Sequence, residues 1–154
     1  VMSWRGEEGG IAAAKSGHDV VMTPTTYVYF DYYQGPSSSE PLAIGGFLPI
    51  GKVYGYSPIP AELTDEEAKH ILGVQANIWT EYLPTGKHVE YMAFPRMAAI
   101  AEIAWTPQEL RQWEDFSDRL KRQMERYQSA GINHAPTVYN TDSVAVFSTA
   151  KTQQ

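Results

Sequence analysis

The sequence predicts an α/β fold: the C-terminal portion, about three strand–helix units, of a TIM (β/α)8 barrel. Three observations carry this prediction. Short apolar runs alternate with segments of helical composition, the order expected of parallel strands joined by crossover helices. Only three such runs occur. An open three-stranded parallel sheet is a poor structure, and the last three units of a closed barrel fit better. Each run also ends in aromatic residues and carboxylates, at Trp4, at Tyr27–Tyr33 and at Trp79–Glu81. Barrels of this kind place their chemistry at the C-terminal ends of their strands.

Val1 to Trp4 reads as the end of a strand. GEEGGIAAAKSG then reads as a helix, with Glu7 and Glu8 near its positive end and Gly17 placed to cap its C-terminus. Asp19 to Thr23, DVVMT, is a buried parallel strand that stops at Pro24. From Tyr27 the chain is aromatic and irregular. Between Pro36 and Pro60, Ile44, Phe47, Leu48, Ile50, Val53 and Tyr54 are scattered among Pro, Gly and Ser, which predicts a long functional loop rather than an idle linker. Thr64 opens a helix over TDEEAKHIL, and Glu67 completes a capping box. Gly73 to Glu81, GVQANIWTE, is the third strand. Lys87 to Trp105 is helical in composition and broken at Pro95. Thr106, Pro107 and Glu109 repeat the helix-start signal, and Leu110, Trp113, Phe116, Leu120, Met124 and Tyr127 form one buried stripe that ends at Gly131. Trp105 and Trp113 read as packing residues. Residues 1–135 form the barrel portion, and 136–154 a tail expected to be partly disordered.

The totals exclude several functions. A formal charge of −6 argues against a nucleic-acid partner, and no apolar run approaches the ~20 residues of a membrane span. The chain has no Cys, which removes disulfides, thiol catalysis and Cys-held metal. Neither a metal nor a cofactor is expected. Glu67 and His70 have the spacing of a di-iron ligand pair but lack the second copy such a site needs, and GEEGG lacks the Lys of a phosphate loop. Because the first residues already read as a strand end, the chain is expected to be a piece of a longer polypeptide. The open strand rims then predict self-association.

GVQANIWTE is the most informative stretch. With strand periodicity, Val74, Ala76 and Ile78 face one way and Gln75, Asn77, Trp79 and Glu81 the other. A polar face ending in an indole and a carboxylate suits a sugar, offering a flat surface for C–H groups and an acceptor for hydroxyls. Taken together, MSW (Met2–Trp4), DVVMTP (Asp19–Pro24), YFDYYQ (Tyr29–Gln34), GVQANIWTEYL (Gly73–Leu83) and FPRMAAIAEIAW (Phe94–Trp105) resemble, from Val1 to about His134, the C-terminal part of the catalytic barrel of glycoside hydrolase family 20, the β-N-acetylhexosaminidases.

The resemblance implies substrate-assisted retaining hydrolysis of a terminal β-linked N-acetylglucosamine or N-acetylgalactosamine. It implies that Tyr29 donates to the acetamido oxygen, that Asp31 and Glu81 accept from sugar hydroxyls, and that Trp79 is the floor and Trp4 a wall of the pocket. Many members carry an acidic residue soon after this Trp, whereas here Arg5 and Gly6 precede Glu7. The family's catalytic Asp–Glu pair belongs on the fourth barrel strand, upstream of Val1. Asp65–Glu66 does not qualify, since it opens a helix beside the capping Thr64. The implied partner is therefore the remainder of the barrel, and the family's glycans point to a periplasmic, secreted or lysosomal place. Two other readings stand beside this one: a non-catalytic sugar-binding module using the same residues, and a two-carboxylate glycosidase using Asp31 and Glu81.

Overall fold

A computed structural model describes residues 1–136. Three short strands, β1 (Met2–Ser3), β2 (Val20–Met22) and β3 (Ile71–Val74), form one parallel sheet in the order β1–β2–β3. Ser3 pairs with Met22, and Met22 with Val74, so the three exits leave at one level. Val20 and Met22 are fully buried and belong to the main core with Ala14 from the first helix, Val28 and Phe30 from the second exit, and Ala99, Ile100 and Ile103 from a later helix.

Helix α1 (Glu8–Lys15) crosses from β1 to β2. Its end is closed by Gly17 at φ 74°, where the N–H groups of Gly17 and His18 return to the carbonyls of Ala14 and Ala13. It packs tightly on the sheet at Gly10, where a Cβ would sit 2.7 Å from the Met22 sulfur. The short helix α2 (Thr25–Val28) follows β2, and α3 (Ile50–Tyr54) lies within the long loop. Helix α4 (Asp65–Ala68) precedes β3. The capping box is present, with the N–H of Glu67 donating to Thr64 Oγ1 at 3.4 Å and the N–H of Thr64 to Glu67 Oε2 at 2.8 Å. Helices α5 (Gly86–Ala93) and α6 (Arg96–Trp105) are separated at Pro95, after a cis Phe94–Pro95 peptide. Helix α7 (Trp113–Ser129) buries Trp113, Phe116, Leu120, Met124 and Tyr127 along one stripe.

Five expectations need correction. The helix expected over TDEEAKHIL stops at Ala68, because Ile71 and Leu72 are taken by the sheet; the His70 carbonyl accepts the Val20 N–H at 2.8 Å. The third strand ends at Val74, and the chain beyond it is extended with a single bridge, Tyr29–Asn77. The long loop is not irregular throughout: after Pro49, Ile50, Val53 and Tyr54 coil into α3 to reach the core. The start signal at Thr106–Glu109 yields only a 3-10 turn, Gln108–Leu110, which leaves Leu110 exposed and off the stripe. There Arg111 donates to the Tyr56 carbonyl at 2.9 Å, drawing the chain away before α7 begins. Finally, Trp105 is not a packing residue but 89% exposed, while Trp113 is buried edge-on to Tyr54. The expected tail, 136–154, lies outside the described residues apart from Pro136.

Candidate active site

Backbone ladders beyond the strands set the positions of the exits. The Trp4 carbonyl accepts both the N–H and the hydroxyl of Thr25, at 2.9 and 2.7 Å, tying the first exit to the second. The second and third are tied by the Asn77 N–H to the Val28 carbonyl (2.9 Å) and the Phe30 N–H to the Asn77 carbonyl (2.7 Å). Tyr29 lies between these two bonds. Because a strand alternates, the stretch after Val74 keeps Ala76 and Ile78 on the core while Gln75 is exposed and Asn77 faces the exits. Gln75 donates to the Asn77 side-chain oxygen at 2.9 Å, orienting that amide.

The five expected site residues line one cleft of about 630 Å³: Trp4, Tyr29, Asp31, Trp79 and Glu81, together with Tyr32, Asn77 and Ile44. Trp79 is 54% exposed and Trp4 45%, so both indoles have faces open to a ligand. The Arg5 guanidinium sits 4.7 Å from the Trp4 ring centre, a cation–π contact that takes one face of that ring. Tyr29 and Asp31 are buried at the base, and Glu81 is exposed at the rim. Two larger hollows, near 750 and 770 Å³, lie between Glu7 and Glu109 and between α6 and α7. None of the five expected site residues lines either of them.

Asp31 is 3% exposed. Burial pushes its carboxyl above the ordinary value of 3.8, and Glu81 adds to this. Its own N–H, Arg96 and the Trp79 N–H work in the other direction without cancelling the rise. Its Oδ1 has no hydrogen-bond partner among the described residues, which leaves an acceptor at the floor of the cleft. Burial, then the Asp31 and Tyr29 charges, push the Tyr32 phenol up.

Asp31 makes the stability of the fold depend on pH. Unfolding returns its carboxyl to the ordinary, lower value. The stability of its protonated form is therefore complete below that value and is lost as pH rises through the raised native one. Asp31→Asn removes this dependence. The melting temperature of the variant is thus expected to gain on the wild type as pH rises from acid to neutral, measured by calorimetry. A constant difference, or one of opposite slope, contradicts the assignment.

The sequence reading missed Arg96, which is wholly buried behind this cleft. The available signal was an arginine at the start of an otherwise apolar helix, MAAIAEIAW. Asp65 and Glu66 occupy the first turn of α4, with Glu66 paired to Lys69 at 2.6 Å, away from the exits. His70 contacts Asp19 at 3.1 Å, and Glu67 is engaged in its cap.

Parallel strands whose exits share one aromatic cleft with buried and exposed carboxylates define the class: an α/β domain with its candidate site where barrels carry their chemistry. Residues 1–108 match the model of the glycosyl hydrolase family 20 catalytic domain, and the chain belongs to that family. It is 49% identical over 135 residues to a β-hexosaminidase of Porphyromonas gingivalis, covering 87% of this chain and 17% of that protein. It is 33% identical over 110 residues to a β-N-acetylhexosaminidase of Cellulomonas fimi, covering 71% and 22%. Among solved structures, the exo-β-N-acetylglucosaminidase of Vibrio harveyi in complex with N-acetylglucosamine superposes with a TM-score of 0.77 at 32% identity, covering 90% of this chain and 22% of that one. The N-acetyl-β-hexosaminidase of Streptomyces plicatus in complex with thio-NAglucal gives 0.75 at 28% identity, covering 90% and 30%. The chain thus spans less than a third of the length of these relatives.

Proposed function

We propose that this chain is the closing part, the last three strand–helix units, of the catalytic barrel of an exo-acting β-N-acetylhexosaminidase. It supplies the sugar-holding side of the pocket, while the Asp–Glu pair comes from an upstream strand. The observation that carries this reading is the convergence of Trp4, Tyr29, Asp31, Trp79 and Glu81 on one cleft at three successive strand exits. The bound N-acetylglucosamine of the Vibrio harveyi neighbour supports the choice of sugar.

The chemistry assigned to these residues is positional and electrostatic. The terminal pyranose lies on the open face of Trp79, and its outer hydroxyls donate to Glu81 and Asp31. Tyr29 donates to the 2-acetamido oxygen, which attacks the sugar's own anomeric carbon. A new C–O bond closes the oxazolinium ring as the glycosidic C–O bond breaks, and the upstream Glu gives its proton to the leaving oxygen. Water, giving a proton back to that Glu, then bonds to the anomeric carbon as its bond to the acetamido oxygen breaks, with retention of configuration. Trp4 closes the pocket around the acetamido methyl.

Incubation of the isolated chain with a chromogenic N-acetyl-β-glucosaminide tests the division of labour. No release above the buffer rate is expected from the chain alone, and ready release from the full-length polypeptide. Turnover by the chain alone that is lost in Tyr29→Phe would overturn the proposal, as would saturable quenching of Trp fluorescence by N-acetylglucosamine, the mark of a self-sufficient binding module. In this reading β1 and β3 each lack one neighbour, so the same preparation is expected to self-associate in light scattering. A monomer at high concentration contradicts that part.

A further inference from the structure

Arg96 is the first residue of α6, yet its side chain is 0% exposed. A guanidinium removed from water needs acceptors for its donors, and an arginine whose charge is unpaired is costly to bury. Here the acceptors are main-chain carbonyls. Nε and Nη2 donate to the Met92 carbonyl at 3.2 and 2.7 Å. Nη1 donates to the carbonyls of Tyr32 and Leu48 at 3.0 and 3.1 Å, and Nη2 also donates to that of Phe30. The Phe30 ring lies against the guanidinium, 4.6 Å away at its centre.

One side chain therefore fastens the last turn of α5, the middle of the long loop at Leu48 and the stretch Phe30–Tyr32. Asp31 sits between two of the bonded carbonyls. On its other edge the same stretch is held by the Asn77 ladder, so it is gripped between α6 and the third strand exit. The charge of Arg96 is not consumed by a hydrogen-bonded carboxylate; Glu40, Asp31 and Tyr91 act on it through space. The charged groups facing Asp31 are Glu81 from the third exit and Arg96 from α6, with Tyr32 adjacent.

We propose that Arg96 is a positioning residue for the saccharide site: through the Phe30 and Tyr32 carbonyls it fixes where Asp31 stands, and it places a buried positive charge behind the Asp31 carboxylate. The inference rests on the hexosaminidase reading for the ligand, but the fastening of Asp31 can be tested without turnover. Lysine keeps the charge and loses the planar fork; methionine loses both.

Two measurements separate the claims. In Arg96→Lys, KM of the full-length enzyme for the chromogenic N-acetylglucosaminide is expected to rise about tenfold with kcat little changed, the loss of one charge-assisted contact to the sugar. In this chain, the Asp31 carboxyl titration followed by 13C NMR is expected to move to higher pH in Arg96→Met and to stay near the wild-type midpoint in Arg96→Lys. A purely structural arginine would lower the amount of active enzyme while leaving KM and the Asp31 midpoint where they are, and that result overturns the inference. If the methionine variant does not fold, KM of the lysine variant decides alone. Absence of hydrolysis by the wild-type full-length polypeptide would instead end the hexosaminidase reading, and the Asp31 titration would still decide what Arg96 does.

Discussion

Tyr29→Phe is expected to lower kcat of the full-length enzyme by about 10² with little change in KM, the cost of letting an internal nucleophile drift out of line with the carbon it attacks. Tyr29 lies between the two hydrogen bonds that join Val28 and Phe30 to Asn77, so its Cα cannot shift without breaking the ladder between the second and third exits. Its ring is buried at the cleft base and tilts against Tyr32, with ring centres 6.0 Å apart. Removing one hydroxyl leaves that packing in place, so the melting temperature is expected to stay near wild type. The hydroxyl holds the acetamido oxygen in line with the anomeric carbon, and that alignment counts only as the new C–O bond forms, which is why the loss falls on kcat. Steady-state rates on a chromogenic N-acetylglucosaminide check this. A wild-type kcat would remove Tyr29 from the chemistry.

Trp79→Ala is expected to cost about 10–10² in kcat/KM, carried mostly by KM, because stacking of an apolar sugar face on an indole contributes to ground and transition states alike. Trp79 is more than half exposed, and its neighbours Ala76 and Ile78 hold the segment on the core, so the substitution leaves the fold intact. Trp79→Phe retains a flat face and is expected to fall between the two. Equal kcat/KM in wild type, Phe and Ala variants would show that the sugar does not lie on this residue. Arg5 beside Trp4 makes the corresponding change at Trp4 less costly, since one face of that ring is already occupied.

The parts of the fold that local periodicity controls were legible in the sequence. Alternation along 73–81 placed Val74, Ala76 and Ile78 on the core and Gln75, Asn77, Trp79 and Glu81 on the other face; the last three line the cleft, while Gln75 lies exposed outside it. The stripe from Trp113 to Tyr127 and the break at Pro95 follow from the helical period and from proline's missing donor in the same way. What stayed hidden depends on partners distant in sequence. Ile71 and Leu72 leave the helix because Val20, about fifty residues earlier, offers a strand edge. Leu110 falls off its stripe because a 3-10 turn intervenes, and no local signal separates that turn from the first turn of a helix. Trp105 was read as packing because it lies on a helix remote from the strand exits, but that distance says nothing about which side of α6 it ends on, and it ends on the exposed one. The cleft that gathers the candidate residues was legible as residue types at strand ends. Its support was not, since the acceptors of Arg96 are backbone carbonyls that carry no side-chain signature.

The most direct measurement is a crystal structure of the full-length polypeptide soaked with N-acetylglucosamine. The expected result is a pyranose lying flat on Trp79, with its 2-acetamido oxygen within hydrogen-bonding distance of the Tyr29 hydroxyl and its outer hydroxyls on Glu81 and Asp31. A sugar bound elsewhere, with the cleft between Trp4 and Glu81 vacant, would contradict the shared-pocket reading at its root.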